Sequence, residues 1–302
     1  MPQPRSTQRR TASIAPLVQR LPPHAYFAIS AVFHYLGPAF AVLLFARVEV
    51  LGVAWLRIAS AALVFALWRR PWRLWQRLDR PTRRLLAGWA AVLAVMNSCF
   101  YLALDRLPLG TVAAIEFLPV IVLAAVAVRT PRNILALVCA VAGVYLLTDV
   151  RLAAEPVGIA FAVANAVLFA LYIVLGHRVA RSPQVPGIDG LAVAMLLAAA
   201  IALPMGITGA APALTDPVAL AAGIGVGICS SVIPYVTDQL AMSRLPRATY
   251  ALLVSLLPAT ATVIGVVVLI QLPTAEEIAG VVLVVAGVAV HQVANAPVPS
   301  RN

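Results

Sequence analysis

Six polar residues stand inside stretches that are otherwise apolar: His34, Arg57, Asn97, Glu116, Asn165 and Asp238. An ionisable group at the centre of a bilayer costs about 2.5–3.5 kcal/mol on insertion scales, so each needs a reason to be there. Arg57 lies about seven residues into its stretch and Glu116 about six into its own. At about 1.5 Å per helical residue, both groups sit roughly 9–11 Å below the same surface. Two arrangements account for the matched depth: a structural ion pair, or a polar cavity in which both meet a solute or protons. An arginine offers a carboxylate a fork of N–H donors. A carboxylate can hold an ammonium group or exchange a proton. Together they suit the two ends of a zwitterion. Asp238, six residues before Arg244, is either an interfacial partner of Arg244 or water, or a proton-coupling group on a pathway. His34 is either packed and hydrogen-bonded or part of the cavity. Asn97 and Asn165 either bond across helices or line that cavity.

Proline placement points to the same region. Pro119 cannot donate to the carbonyl of Ile115, the residue before Glu116. Pro38 frees the carbonyl of His34, Pro234 that of Ser230 and Pro258 that of Val254. Membrane helices tolerate single prolines widely, but helices broken at matching positions of two halves mark a carrier's binding site.

Ten apolar stretches must position these groups: Tyr26–Phe45, Val50–Trp68, Leu85–Leu104, Gly110–Val128, Asn133–Leu147, Gly158–His177, Ile188–Ile207, Pro217–Met242, Arg247–Ile270 and Ala275–Asn295. The chain is 62% hydrophobic and 11% charged, which is membrane composition. In a roughly 30 Å hydrocarbon layer the backbone must satisfy its own hydrogen bonds, so these stretches are expected to be helices. A membrane β-barrel would need alternating strands of about ten residues instead. The expected fold class is therefore an all-α integral membrane protein with ten transmembrane helices.

Net charge is +11, and all 22 basic residues are arginine. Eighteen of them fall in the two tails and every second loop, while seven of the eleven acids occupy the other loops. That asymmetry is the positive-inside pattern, not a nucleic-acid footprint, and it places both termini in the cytoplasm. The first stretch follows Arg5, Arg9, Arg10 and Arg20 and reads as an uncleaved signal anchor.

The order of short motifs repeats. Arg106-Leu107-Pro108 with Thr111 returns 138 residues later as Arg244-Leu245-Pro246 with Thr249. Leu118-Pro119 is echoed by Leu257-Pro258, and Val141-Ala142-Gly143-Val144 by Val285-Ala286-Gly287-Val288. Five segments per copy turn the second copy upside down, which predicts two inverted repeats, 26–147 and 158–295. They are flanked by a tail over 1–25, an external connection over 148–157 and a tail over 296–302.

Other chemistry finds little support. Cys99, Cys139 and Cys229 are isolated within apolar stretches and read as filler, with no zinc spacing. Gly223, Gly225 and Gly227 follow no strand and read as close helix packing, not a dinucleotide fingerprint. The sequence has no Walker motif and no nucleophile–base or metal-ligand set, so no cofactor, no metal and no enzyme activity are expected. A lipid-modifying membrane enzyme would need such a cluster near one interface.

With these features in place, the chain resembles the EamA-type exporters of the drug/metabolite transporter superfamily, over roughly Tyr26–Asn295. Within them it is most similar to the inner-membrane branch that exports threonine and homoserine. The resemblance rests on Met96-Asn97, Phe100-Tyr101-Leu102, Leu107-Pro108-Leu109-Gly110 and Glu116-Phe117 in the first half. In the second half it rests on Tyr172-Ile173, Gly176, Pro234-Tyr235 and Arg244-Leu245-Pro246 with Thr249. Arg57 matches a Leu-Arg pair in the second helix of that branch, and Asp238 stands where it carries an acid. Where relatives carry a Gly-Glu pair after the ninth helix, this chain has Gln271-Leu272-Pro273-Thr274, with acids only at Glu276 and Glu277.

The resemblance implies a bacterial inner-membrane carrier that moves a small molecule, here an amino acid, against protons. Tyr101 and Tyr172 then join Arg57, Glu116, Asn97, His34 and Asn165 as expected substrate-binding residues. Glu116 and Asp238 are the expected proton-coupling groups. An exporter of drugs or other metabolites on the same fold is the alternative, although Arg57 would repel cationic drugs.

Overall fold

A computed structural model describes residues 22–127, 130–152, 155–185, 187–242, 244–245, 253 and 256–294. The regular elements among them are helices. In chain order they are α1 (Pro23–Leu44), α2 (Val50–Arg69), a short α3 (Pro71–Arg77), α4 (Arg80–Leu104), α5 (Leu109–Ala127) and α6 (Pro131–Leu152). They continue with α7 (Pro156–Ala180), α8 (Gly187–Thr215), α9 (Pro217–Gly227), α10 (Ile233–Met242), α11 (Leu257–Leu269) and α12 (Ala275–Ala294). A π-helical turn, Ile228–Val232, joins α9 to α10. Among the described residues, six helical stretches are long and apolar enough to cross a membrane by themselves. They are His24–Leu44, Val50–Arg69, Arg80–Leu104, Pro156–Val179, Ile188–Thr215 and Pro217–Thr237. Shorter apolar helices cover Leu109–Pro119, Pro131–Leu146 and Leu257–Leu269.

Several ends differ from the sequence reading, those of α4 and α6 for one physical reason. Charged side chains at a membrane surface stay in water while their backbone remains helical, so a polar residue need not end a helix. Thus α4 begins at Arg80, capped by the Asp79 carboxylate accepting from the Thr82 N–H at 2.9 Å. Helix α6 runs on to Leu152, so most of the connection expected over 148–157 is helical. Helix α8 continues through Pro204 and Pro212 to Thr215. The unexpected α3 is rich in arginine and tryptophan, as interfacial segments are. Of the ninth stretch, 247–252 and 254–255 lie outside the described residues, as do 1–21 of the first tail and all of the last; 23–25, read as tail, already belong to α1.

The strongest packing joins the two halves of the chain. Helix α6 lies along α12, α2 along α8, α4 along α7, and α1 along the α9–α10 rod. Helix α5 packs on α7 and α11, and α11 on α1. Exchanging α1–α6 with α7–α12 maps these pairings onto one another: α4–α7 becomes α1 with its rod, and α5–α7 becomes α11–α1.

Loop contacts respect the same scheme. At one end, Arg47 pairs with Asp216 at 3.3 Å, and the Leu109 N–H donates to Gln271 Oε1 at 3.1 Å. At the other, Arg69 pairs with Asp189 at 2.5 Å and Gln184 Nε2 donates to Asp79 at 3.0 Å. Asp216 also caps α9, and the N–H groups of Ala219 and Val218 hold its carboxyl below the usual carboxylate range.

The third sequence echo has a structural counterpart. A Cβ on Gly143 of α6 would sit 2.6 Å from the Gly280 carbonyl of α12, and one on Gly287 would sit 2.7 Å from the Ala136 carbonyl of α6. Each glycine lets the other helix approach. Gly143→Leu is therefore expected to lower the thermal midpoint and the monodisperse fraction of purified protein, by an overpacking cost of about 1–3 kcal/mol. Gly88→Leu is the control, since a Cβ there meets nothing within 4 Å. Of the three glycines read as packing, Gly223 and Gly227 do abut α2, against Leu56 and Ser60. Gly225 does not: a Cβ there meets nothing within 4 Å, because it opens onto a groove beside Phe40 and Cys229.

Candidate functional site

Two groups from opposite sides of the bundle face one small interior cavity. Helix α2 carries Arg57 and α5 carries Glu116, and both line a space of about 70 Å³. His34 from α1, Asn97 from α4, and Asn165 and Tyr172 from α7 share its wall. So do Ser231 from the π turn and Tyr235 from α10. Phe169 and Met195 complete its apolar side.

Arg57 and Glu116 make no ion pair among the described residues. The guanidinium turns instead to the π turn. Its Nε donates to Ser231 Oγ and its NH2 to the Ser230 carbonyl, both at 3.4 Å. In an α-helical register that carbonyl is the one to which Pro234 could not donate. These bonds are long, and they leave the guanidinium with N–H donors to spare. Tyr101 backs it from α4, with its ring centroid 5.5 Å from the guanidinium carbon.

Glu116 is 8% exposed and accepts one hydrogen bond, from Asn165 Nδ2 at 3.1 Å. Among the described residues, Asn165 is the one of the two asparagines that bonds across helices. Asn97 donates to its own Leu93 carbonyl at 2.8 Å. Tyr172 and Tyr235 share a hydroxyl–hydroxyl bond of 3.1 Å, which links the cavity ends of α7 and α10. Trp89 stacks on Tyr172 at 5.3 Å and donates to its carbonyl at 3.1 Å, so that ring is held from behind. His34 packs edge-on against Tyr35 at 5.1 Å.

The prolines divide. Pro38 and Pro119 lie inside helices, and Pro38 lines the cavity. Pro234 follows the π turn, and its own carbonyl accepts from Ser30 Oγ at 3.4 Å. Pro258 stands in the first turn of α11, where its missing N–H is one of the donors a helix start leaves unused. Val254 lies outside the described residues, and so does the side chain of Asp238. Arg244, read as its partner, donates to the Tyr26 hydroxyl at 2.8 Å. Sequence reasoning missed Ser231, Phe169 and Met195, because serine and apolar side chains carry no cost signal in a membrane segment.

A larger space of about 390 Å³ lies between the Asp105–Pro108 loop and Gln271–Pro273. Its polar groups are largely engaged with one another. Asp105 pairs with Arg106 at 3.2 Å, and Gln271 caps α5. Glu277 accepts from the Thr274 N–H at 2.9 Å while Thr274 Oγ1 accepts from the Glu277 N–H at 3.2 Å, a reciprocal cap at the start of α12. Ile270 makes the turn into this region in the left-handed conformation, at φ 56°.

An apolar helical bundle that encloses a cavity with one guanidinium and one carboxyl is built as a membrane carrier. The chain belongs to the EamA-like transporter family, whose sequence profile matches residues 156–291, and it is a transporter, not an enzyme. It is 32% identical over 253 residues to the threonine/homoserine exporter RhtA of Salmonella typhimurium strain LT2, covering 83% of this chain and 84% of that protein. It is 32% identical over 234 residues to the threonine/homoserine exporter RhtA of Escherichia coli strain K12, covering 76% and 78%. A protein of known crystal structure shares the fold at a TM-score of 0.59 and 22% identity, over 89% of this chain and 98% of its own.

Proposed function

We propose that this protein exports small amino acids of the threonine and homoserine kind from the cytoplasm in exchange for protons. The observation that carries the reading is the shared cavity in which Arg57 and Glu116 stand without pairing. A zwitterion has a place for each end there. Its carboxylate takes the spare donors of Arg57, and its ammonium takes Glu116. A proton competes with the ammonium for the same carboxylate, so loading one releases the other and no separate coupling site is required. The similarity to the RhtA exporters supports the substrate class.

The reading includes ten crossings in two inverted five-helix units, both termini in the cytoplasm, in the bacterial inner membrane. The exchange-symmetric packing and the arginine asymmetry support it. In this frame α2 and α5 descend from the outer surface, and the pocket at Asp105–Pro108 and Gln271–Pro273 is an outer vestibule. Asp238 belongs to the proposal as a second proton group near the cytoplasmic end of α10.

The test is flux into inside-out membrane vesicles. With an acid interior, labelled threonine and homoserine are expected to accumulate and to leave again when an ionophore collapses the gradient. Folded protein that accumulates neither compound would remove the amino-acid assignment.

A further inference from the structure

The amide of Asn165 is only half used. Its Nδ2 donates to Glu116, while its Oδ1 has no hydrogen-bond partner among the described residues, although the residue is fully buried and lines the cavity. A buried acceptor left open beside a small cavity invites a donor to fill it. A carboxamide carries its acceptor and its donors on separate atoms, and a half-turn about the last side-chain bond exchanges them with almost no change of shape.

We propose that the Asn165 carboxamide is a relay that turns over with the protonation of Glu116, so that the cavity meets an acceptor in one state and a donor in the other. When Glu116 is ionised it can only accept, so Asn165 must offer Nδ2. The free Oδ1 then accepts from the substrate's ammonium or hydroxyl. When Glu116 carries a proton, its O–H donates to Oδ1. The amide is then reversed and presents N–H groups, which face an ammonium as donor to donor. The proton thus removes the ammonium's carboxylate partner and its neighbouring acceptor together. No covalent bond changes beyond the protonation of Glu116. This rests on the antiport reading and adds Asn165 to it as a positioning residue.

Other groups near Glu116 do not duplicate this role. Arg57 of α2 is a fixed donor engaged with the π turn. The buried hydroxyls of Tyr35 of α1 and Tyr101 of α4 are also unpartnered among the described residues, but neither residue lines the cavity; His34 packs edge-on against Tyr35, and Tyr172 of α7 is tied to Tyr235 of α10. Tyr101 of α4 lies against Arg57. Helix α11 has no ionisable residue, and Glu277 of α12 is held in its cap at the other pocket. Among the described residues, no ionisable group of α6 lines the cavity.

The experiment measures threonine affinity of purified protein across pH, in wild type, Glu116→Gln, Asn165→Leu and Asn165→Ser. It is joined by acid-minus-alkaline infrared difference spectra. Wild type is expected to lose affinity on acidification and to show a side-chain amide carbonyl band that shifts along with the Glu116 carboxyl band. Asn165→Leu is expected to bind about tenfold more weakly at alkaline pH, to show a flattened pH profile and to lack the shifting amide band. If Glu116→Gln keeps the wild-type pH profile, the antiport reading itself fails. If Glu116→Gln flattens the profile but Asn165→Leu and Asn165→Ser keep its full swing at lower affinity, antiport stands and the relay is overturned. Should neither Asn165 variant fold, the wild-type spectra decide, and an amide band that ignores the carboxyl titration overturns the relay.

Discussion

Glu116→Gln is expected to abolish gradient-driven threonine flux, leaving accumulation at the level of vesicles without the protein. Glutamine has nearly the same shape and can still accept from Asn165 Nδ2, so packing of α5 against α7 is preserved. What it lacks is a titrating proton and a negative charge. Without them the ammonium loses its counter-charge, and the proton gradient has nothing at this site to act on. The variant should still exchange labelled for unlabelled threonine across the membrane at high concentration, because exchange requires no net proton movement. Gradient-coupled flux at wild-type rate in Glu116→Gln would remove Glu116 from the coupling step. Asp238 would then be the group to substitute next.

The second large effect concerns the other end of the substrate. Arg57→Ala is expected to weaken threonine binding at least thirtyfold, since losing one partner of a buried charge pair costs about 2–5 kcal/mol. Arg57→Lys should recover only part of the loss, because an ammonium is a point charge without the guanidinium fork. Threoninamide, which has no carboxylate, provides the internal comparison: it should bind wild type poorly and lose little more in Arg57→Ala. The substitution also leaves the Ser230 carbonyl without the Arg57 donor, so the thermal midpoint should fall as well. Binding is therefore to be measured only on the monodisperse fraction. Wild-type affinity there would leave Arg57 as scaffold for the π turn.

Much of the cavity was legible before any coordinates, because charge and backbone disruption in an apolar segment are costly and so stand out. His34, Arg57, Asn97, Glu116, Asn165 and Tyr172 all reach one space. The link between Pro234 and Ser230 was legible as a freed carbonyl, although nothing in the sequence says that Arg57, 173 residues away, would take it. Helix rotation is what a sequence states poorly. Depth along α2 and α5 could be counted, yet whether Arg57 faced Glu116 or Ser231 depended on packing between distant segments. The same limit explains Gly225, which shares its neighbours' spacing but lies on the face turned away from α2. Helix ends such as Leu152 escaped because interfacial charge does not stop a helix.

The partition of contacts has a consequence for how the protein is made. Helices α2, α4 and α6 find their principal neighbours in α8, α7 and α12, all translated later. The first half therefore leaves the ribosome with its small-residue faces bare, and Arg57 enters the bilayer long before the Ser230 carbonyl exists. Gly143 waits for a helix that begins only at Ala275. The first half thus completes its packing only as the second is made, and a chain broken off between the halves would leave unfinished surfaces for membrane proteases to clear.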